Sequence, residues 1–282
     1  SFKGKLHSRT LESLVKEVTN LVKKGYKDFS FVSQDSSSYL RDLGHNDGLE
    51  QLIDAVEKID GIKTARILYL YPSTTTLNLI DKIADSKVFV NYFDMPLQHI
   101  SQNMLKIMKR GKGAEKLIEL MNYMRSKPNS FVRTTFIAGH PGESEEDFEE
   151  LCSFVEDFRF DRGNVFSYSD EEGTSAETRD DKIEQELIDE RAEILGDIIS
   201  QTTIKSLEND IGKSFEVYID GESEEHEYLL SARKTIWAPQ IDGEIYINDN
   251  EDNIPIIFGE IYEVEATQLA GDKLLAKIIR KV

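Results

Sequence analysis

Gln98, His99 and Ser101 stand in the run Met95-Pro-Leu-Gln-His-Ile-Ser101, directly after an apolar stretch that reads as a strand. Such groups suit a ribose or the amino-acid end of a ligand. His99 offers either a general base or a ring held by packing. Ile137-Ala-Gly-His-Pro-Gly-Glu143 occupies a second strand end, where Gly139 and Gly142 let backbone approach a flat ligand and Pro141 stiffens the turn. A structural strand-to-helix turn uses the same residues. Gln34-Asp-Ser-Ser-Ser-Tyr39 marks a third strand end, and taken alone reads as a polar turn. Tyr168-Ser-Asp-Glu-Glu-Gly-Thr174 marks a fourth, where Glu171 and Glu172 either shape a pocket for a basic peptide or form a solvated turn. Arg66 and Arg133 interrupt apolar strands, so each needs either a ligand carboxylate or a structural one. His7, His45, His140 and His226 are too scattered for a zinc site, so no metal ligands are assigned. Cys152 lies on the apolar face of a helix and reads as core.

These runs need elements to hold them. Leu11 to Val22 and Leu49 to Ile59 carry helical spacing, as do the stretches around Leu77–Ile83, Leu117–Met124 and Phe148–Val155. Ser144 and Asp147 form a capping-box pattern before the last of these. Phe29–Ser33, Ala65–Tyr71, Val88–Phe93, Val132–Ile137 and Val165–Tyr168 read as strands between them. That alternation predicts a mostly parallel α/β sheet, open or curled into a barrel, with four polar strand ends on one rim. A long helix follows over 183–199. After Gly212, short alternating segments broken by Gly, Asp and Asn predict a small antiparallel β-barrel, with a domain boundary near 210. The expected domains are 1–209 and 210–282. The chain opens on a loop and a helix with no strand before them, so a first strand is expected to be missing.

Composition narrows the partners. The net charge of −19 repels phosphate backbones, disfavours general nucleic-acid binding and favours a basic partner, although it also serves plain solubility. One cysteine permits no intrachain disulfide, which suits a reducing cytoplasm. No apolar run approaches the ~20 residues a membrane span requires.

Taken in order, Ser1-Phe-Lys-Gly-Lys-Leu-His-Ser-Arg9, Gln34–Tyr39, Pro96-Leu-Gln-His99, Arg133–Ile137, Gly139–Glu143 and Tyr168–Thr174 resemble the radical S-adenosylmethionine methylthiotransferases. The opening Phe-Lys-Gly-Lys, Gln34-Asp-Ser and Tyr168–Thr174 favour its ribosomal-protein branch, which modifies an aspartate of small-subunit ribosomal protein S-twelve. The resemblance implies a radical-SAM-type (βα) barrel, S-adenosyl-L-methionine as cosubstrate and [4Fe-4S] clusters. Their cysteine ligands are absent here, so the chain is expected to be a fragment, inactive alone, that starts after them. Carried onto this sequence, the cosubstrate rim falls at Gln34, Gln98, Ser101, Arg133, Gly139 and Tyr168. His140 stands where the family carries Phe. The C-terminal segment resembles a TRAM domain, yet Asp220, Glu222, Glu224, Glu225 and Glu227 make it acidic. That charge suits a basic ribosomal protein better than RNA. Glu171, Glu172 and Trp237 are the expected substrate-docking residues, with Trp237 alternatively a core ring. The alternatives are a tRNA-adenosine methylthiotransferase and a partner-binding module without catalysis.

Overall fold

The computed structural model describes residues 4–111, 113–250 and 253–282. Its backbone packs as two compact units, 1–199 and 200–282.

The first unit alternates helices with parallel strands, as the apolar spacing predicts. Helix α1 (Leu11–Lys23) begins where the Thr10 side chain accepts the Ser13 N–H. Strand β1 (Asp28–Phe31), α2 (Gly48–Val56), β2 (Thr64–Ile67), α3 (Leu77–Ala84) and β3 (Phe89–Asp94) follow. Then come α4 (Gln102–Ile107), α5 (Ala114–Arg125), β4 (Phe131–Ala138), α6 (Glu145–Phe158) and β5 (Arg162–Ser167). The short α4 has no counterpart in the sequence pattern, because six residues are too few to show a period.

Strand order is β1-β2-β3-β4-β5, all parallel. With right-handed crossovers, strands added in chain order put every connecting helix on the same face, the geometry of a barrel wall. Side chains therefore sort by parity. On β4, Val132 and Phe136 join the core that the helices cover. Arg133, Thr135 and Ile137 project to the other side. Because every strand runs the same way, all five C-terminal ends lie along one edge.

Strand β2 stops at Ile67, short of the expected Tyr71. Tyr69 adopts a left-handed backbone (φ 59°), and the Leu70 N–H turns to the Asp94 carbonyl at 2.7 Å. The capping box of α6 forms as the sequence pattern predicts: Ser144 accepts from the Asp147 backbone, and the Asp147 carboxylate accepts from the Ser144 backbone.

Helix α7 (Gln185–Glu208) carries the division between the units. Its Leu195 and Ile199 complete the core of the first unit. In the second unit, β6 (Ser214–Glu222), β7 (Leu230–Lys234), β8 (Ile245–Asp249), β9 (Ile261–Ala270) and β10 (Lys273–Lys281) close in the order β10-β8-β7-β6-β9. The pairings are antiparallel except that between β10 and β8, which is parallel, so the barrel is mixed and not purely antiparallel. Closure removes the free sheet edges. It also encloses Val217, Ile219, Ile245, Ile247, Tyr262, Val264 and Leu274, each at most 3% exposed.

Candidate functional site

The strand ends of the first unit meet a cavity of about 580 Å³. Gln98 lines it from the loop after β3, and Thr135 and Ile137 from β4. His140 lines it from the loop after β4, and Phe166, Tyr168 and Glu171 from the end of β5 and beyond. Ile107, Met108 and Arg110 contribute from α4 and the turn that follows. A volume of this order suits a nucleoside-sized molecule, and the lining mixes apolar surface with a few polar groups.

Gln98 holds a left-handed backbone (φ 70°) between two β4 contacts. Its N–H donates to the Thr135 carbonyl at 2.8 Å, and its carbonyl accepts the Ile137 N–H at 2.9 Å. A non-glycine residue rarely takes this conformation unless its surroundings impose it, and such residues cluster at ligand sites. Tyr69, at the end of β2, is a second example.

Below the cavity lies a buried polar cluster. Gly139 (φ 78°) donates its N–H to Glu143 Oε2 at 2.9 Å, while Glu143 Oε1 accepts from Arg191 of α7 at 2.9 Å. Burial pushes the Glu143 carboxyl above the usual range, opposed by the Gly139 N–H and by Arg191. His99 is fully buried; its Nδ1 accepts the Ser101 N–H at 3.1 Å, which leaves the ring proton on Nε2. That Nε2 stands 3.7 Å from Glu143 Oε2, beyond hydrogen-bond reach. Burial lowers the His99 pKa to about 4, so the ring is neutral at pH 7. It lies outside the cavity lining, which favours the packed-ring reading over the general base.

Ser101 is also buried. Its hydroxyl donates to Asp147 Oδ1 at 2.5 Å and accepts the Met104 N–H, capping α4. Burial raises the Asp147 carboxyl, but the bonds from Ser101, Asn103 and Ser144 outweigh it and hold the group low. Arg133 pairs with Asp94 Oδ1 at 3.2 Å, and Asp94 Oδ2 also accepts the Tyr69 N–H. Arg66 of β2 grips Asp28, the first residue of β1, at 2.7 and 3.1 Å. Both arginines therefore have a structural carboxylate.

Of the residues expected at the site, Gln98, Tyr168 and Glu171 meet on the cavity. Ser101 caps α4 and Gly139 follows β4, whereas Arg133 stands near the start of β4; none of the three lines the cavity. Gln34 and Glu172 are exposed and outside the lining. Tyr168 donates to Asp170 Oδ1 at 2.7 Å; burial, with that carboxylate, pushes its phenol up to about 12. The His140 ring meets Tyr168 edge-on at 5.0 Å, so an aromatic contact is kept at this position. Thr135, Phe166 and Arg110 were not anticipated. Thr135 follows Arg133 by two along a strand, and that parity was a usable signal.

In the second unit, Trp237 is 2% exposed, so its ring packs inside the barrel unit and does not stand at the surface as an anchor. Its carbonyl accepts from Arg233, and the Lys234 ammonium lies 5.6 Å from its ring. Asp220, Glu222, Glu224, Glu225 and Glu244 line one groove there, partly offset by Arg233 on Asp220 and by Lys273 on Glu225 and Glu244. Cys152 is half-buried, and burial raises its thiol to about 11, the opposite of a reactive thiolate. A single cysteine does not fit an iron–sulfur cluster held by several thiolates. Among the described residues, no group of three or more His, Cys, Asp or Glu side chains could hold a metal ion.

Comparison with known proteins identifies the two domains. The TRAM domain profile matches residues 211–279. The chain is 79% identical over 282 residues to the ribosomal protein uS12 methylthiotransferase RimO of Aliarcobacter butzleri, covering 99% of this chain and 63% of that protein. It is 61% identical over 279 residues to the protein of the same name from a Nitratiruptor species, covering 99% and 64%. The chain thus spans just under two thirds of the length of these relatives. Among solved structures, coproporphyrinogen III oxidase (HemN) from Escherichia coli, a radical SAM enzyme, shares the fold. Its TM-score is 0.51 at 17% identity, over 70% of this chain and 44% of that one. The Radical SAM superfamily profile matches residues 1–155, more than half of the sequence and all of β1 to β4. The chain belongs to the radical SAM superfamily.

Proposed function

We propose that this chain supplies the cosubstrate-binding and substrate-docking parts of an enzyme that methylthiolates an aspartate of ribosomal protein uS12. The observation that carries this reading is the cavity at the C-terminal strand ends, in a chain 79% identical to a protein named for that activity. S-Adenosylmethionine is the cosubstrate, and when bound it supplies the radical chemistry of the superfamily. The iron–sulfur clusters take their ligands from outside these 282 residues.

The chain's own residues bind and orient. Gln98, held left-handed between two β4 contacts, presents its amide to a ribose or an amino-acid end. Thr135 and Ile137 form the floor, and Phe166 and the His140–Tyr168 pair give flat surfaces against which a base can pack. Gly139, Ser101 and Arg133 fix the loops from beneath through Glu143, Asp147 and Asp94. Gln34 and Glu172 extend the rim. Around the mouth, Asp170, Glu171 and Glu172 meet a basic polypeptide, as does the acidic groove of the barrel unit. Such a substrate places the reaction in the cytoplasm. No described helix is long and apolar enough to cross a membrane.

The test is a chimera joining residues 1–282 to the part of the Aliarcobacter butzleri relative that they do not cover, with its clusters reconstituted. Methylthiolation of uS12 and not of tRNA is expected; labelling of tRNA alone would overturn the proposal. Gln98→Ala should raise KM for S-adenosylmethionine about tenfold, consistent with loss of one or two hydrogen bonds.

A further inference from the structure

Between β8 and β9 the barrel unit carries five consecutive apolar residues, Ile254-Pro-Ile-Ile-Phe258, outside any strand. Ile257 is 52% exposed and Phe258 54%. Single exposed apolar side chains are ordinary. An apolar run of this length on a loop is unfavourable in water unless a partner covers it.

The run is held in one shape by side chains. Asn250 clamps Ile254, its Nδ2 donating to the Ile254 carbonyl and its Oδ1 accepting the Ile254 N–H, each at 2.9 Å. The hydroxyl of Tyr262, a fully buried residue, donates to the Pro255 carbonyl at 3.0 Å and accepts the Ile257 N–H at 2.8 Å. The Glu260 N–H reaches the Ile257 carbonyl and closes a turn around Phe258. Gly259 takes φ 81° in its third place, the sign a type II turn needs there. Gly259 also donates to the Ile219 carbonyl at 2.7 Å, which ties the turn to β6. Two large apolar side chains thus stand at the surface on backbone already ordered, so a partner that covers them meets a small entropic cost.

Charge decides what that partner is. Ile219 precedes Asp220, which lines the groove of the barrel unit with Glu222, Glu224, Glu225 and Glu244. Arg233 pairs with Asp220, and Lys273 with Glu225 and Glu244, which leaves Glu222 and Glu224 without a cation among the described residues. A nucleic-acid backbone or an anionic membrane is repelled there, whereas lysine and arginine side chains are attracted. We propose that Ile257 and Phe258 are the apolar anchor of the docking surface for a basic polypeptide. Its cations lie along the acidic groove, and one of its apolar side chains packs on Phe258. The inference rests on the reading that this groove meets the basic substrate polypeptide. It deepens that reading by adding selection: charge attracts any basic chain, and the apolar contact retains the one that carries a matching side chain.

Equilibrium binding of purified uS12 to the 282-residue chain tests it, at low salt and at about 1 M NaCl, where the screening length falls to about 3 Å. The wild-type chain should weaken with salt yet keep measurable affinity at the higher concentration. Phe258→Ser should lose roughly tenfold at both salt levels, and Glu222→Gln with Glu224→Gln should lose affinity at low salt only. Trp237, buried in the same unit, reports by its fluorescence that each variant is folded. Wild-type affinity that vanishes at about 1 M NaCl overturns the anchor and leaves the acidic-groove reading standing; this arm needs no variant. Unchanged affinity in folded Phe258→Ser does the same. Absence of uS12 binding by the wild-type chain at low salt overturns both. Sedimentation of the chain alone adds one more outcome: a dimer that Phe258→Ser dissociates would assign the turn to a second copy and overturn the proposal.

Discussion

At Gly139 the backbone takes φ 78°, and a Cβ placed there would lie 2.6 Å from Cγ1 of Ile188 on α7. Both strain and overlap oppose a side chain. Gly139→Ala should destabilise the first unit by about 2–4 kcal/mol, read as a lowered urea midpoint. A second residue-scale effect concerns pH. His99 is buried neutral with its pKa lowered from 6.5 to about 4, so below pH 6.5 the unfolded chain takes up the proton first. Stability is then full above about pH 6.5 and falls as pH drops toward 4. Between pH 7 and 5 the wild-type chain should lose about 2 kcal/mol more than His99→Gln, measured by urea unfolding at both values. The raised carboxyl of Glu143 has the opposite sign, its contribution fading as pH rises. It is present in both proteins and largely cancels in the comparison. Equal pH slopes for the two would remove His99 as the cause.

The elements depend on a few cross-links that no local pattern reports. Helix α7 reaches the turn after β4 through Arg191, which bonds Glu143 Oε1 at 2.9 Å, the Glu143 carbonyl at 3.1 Å and Glu145 at 2.9 Å. Removing the cation leaves a buried carboxylate without its counter-charge. Arg191→Met should cost about 3–5 kcal/mol, and adding Glu143→Gln should restore part of it. A double-mutant cycle without coupling would show that the pair is not the link. The helices and strands were legible from apolar period because their faces are amphipathic; α4 was not, being six residues long. The early end of β2 was hidden as well. Tyr69 turns left-handed because Asp94, on the neighbouring strand, takes its N–H, a tertiary cause.

Across the whole molecule, the chain divides into two compact units, and the single tryptophan lies buried in the second. Trp237 fluorescence therefore follows the barrel, whereas far-UV dichroism follows mainly the helices of the first unit. The two signals should give non-coincident urea transitions; superimposable curves would show one cooperative unit. The charge of −19 acts at the same scale, drawing basic partners at low salt.

The sequence by itself determined the alternation of helices and strands, the change to short β segments after Gly212 and the family. Those follow from period, turn chemistry and ordered motifs, which are local or linear properties. It also marked the strand ends that carry Gln98, Gly139 and Tyr168. Only the tertiary structure decided which of them meet. Gln98 and Tyr168 reach one cavity because parallel strands end on a common edge, whereas Gln34 lies outside its lining. The partners of Arg66 and Arg133, the burial of Trp237 and the contact of Arg110 with the Tyr71 ring were settled there too. Each depends on which groups distant in sequence come within a few ångströms, and spacing along one chain does not encode that.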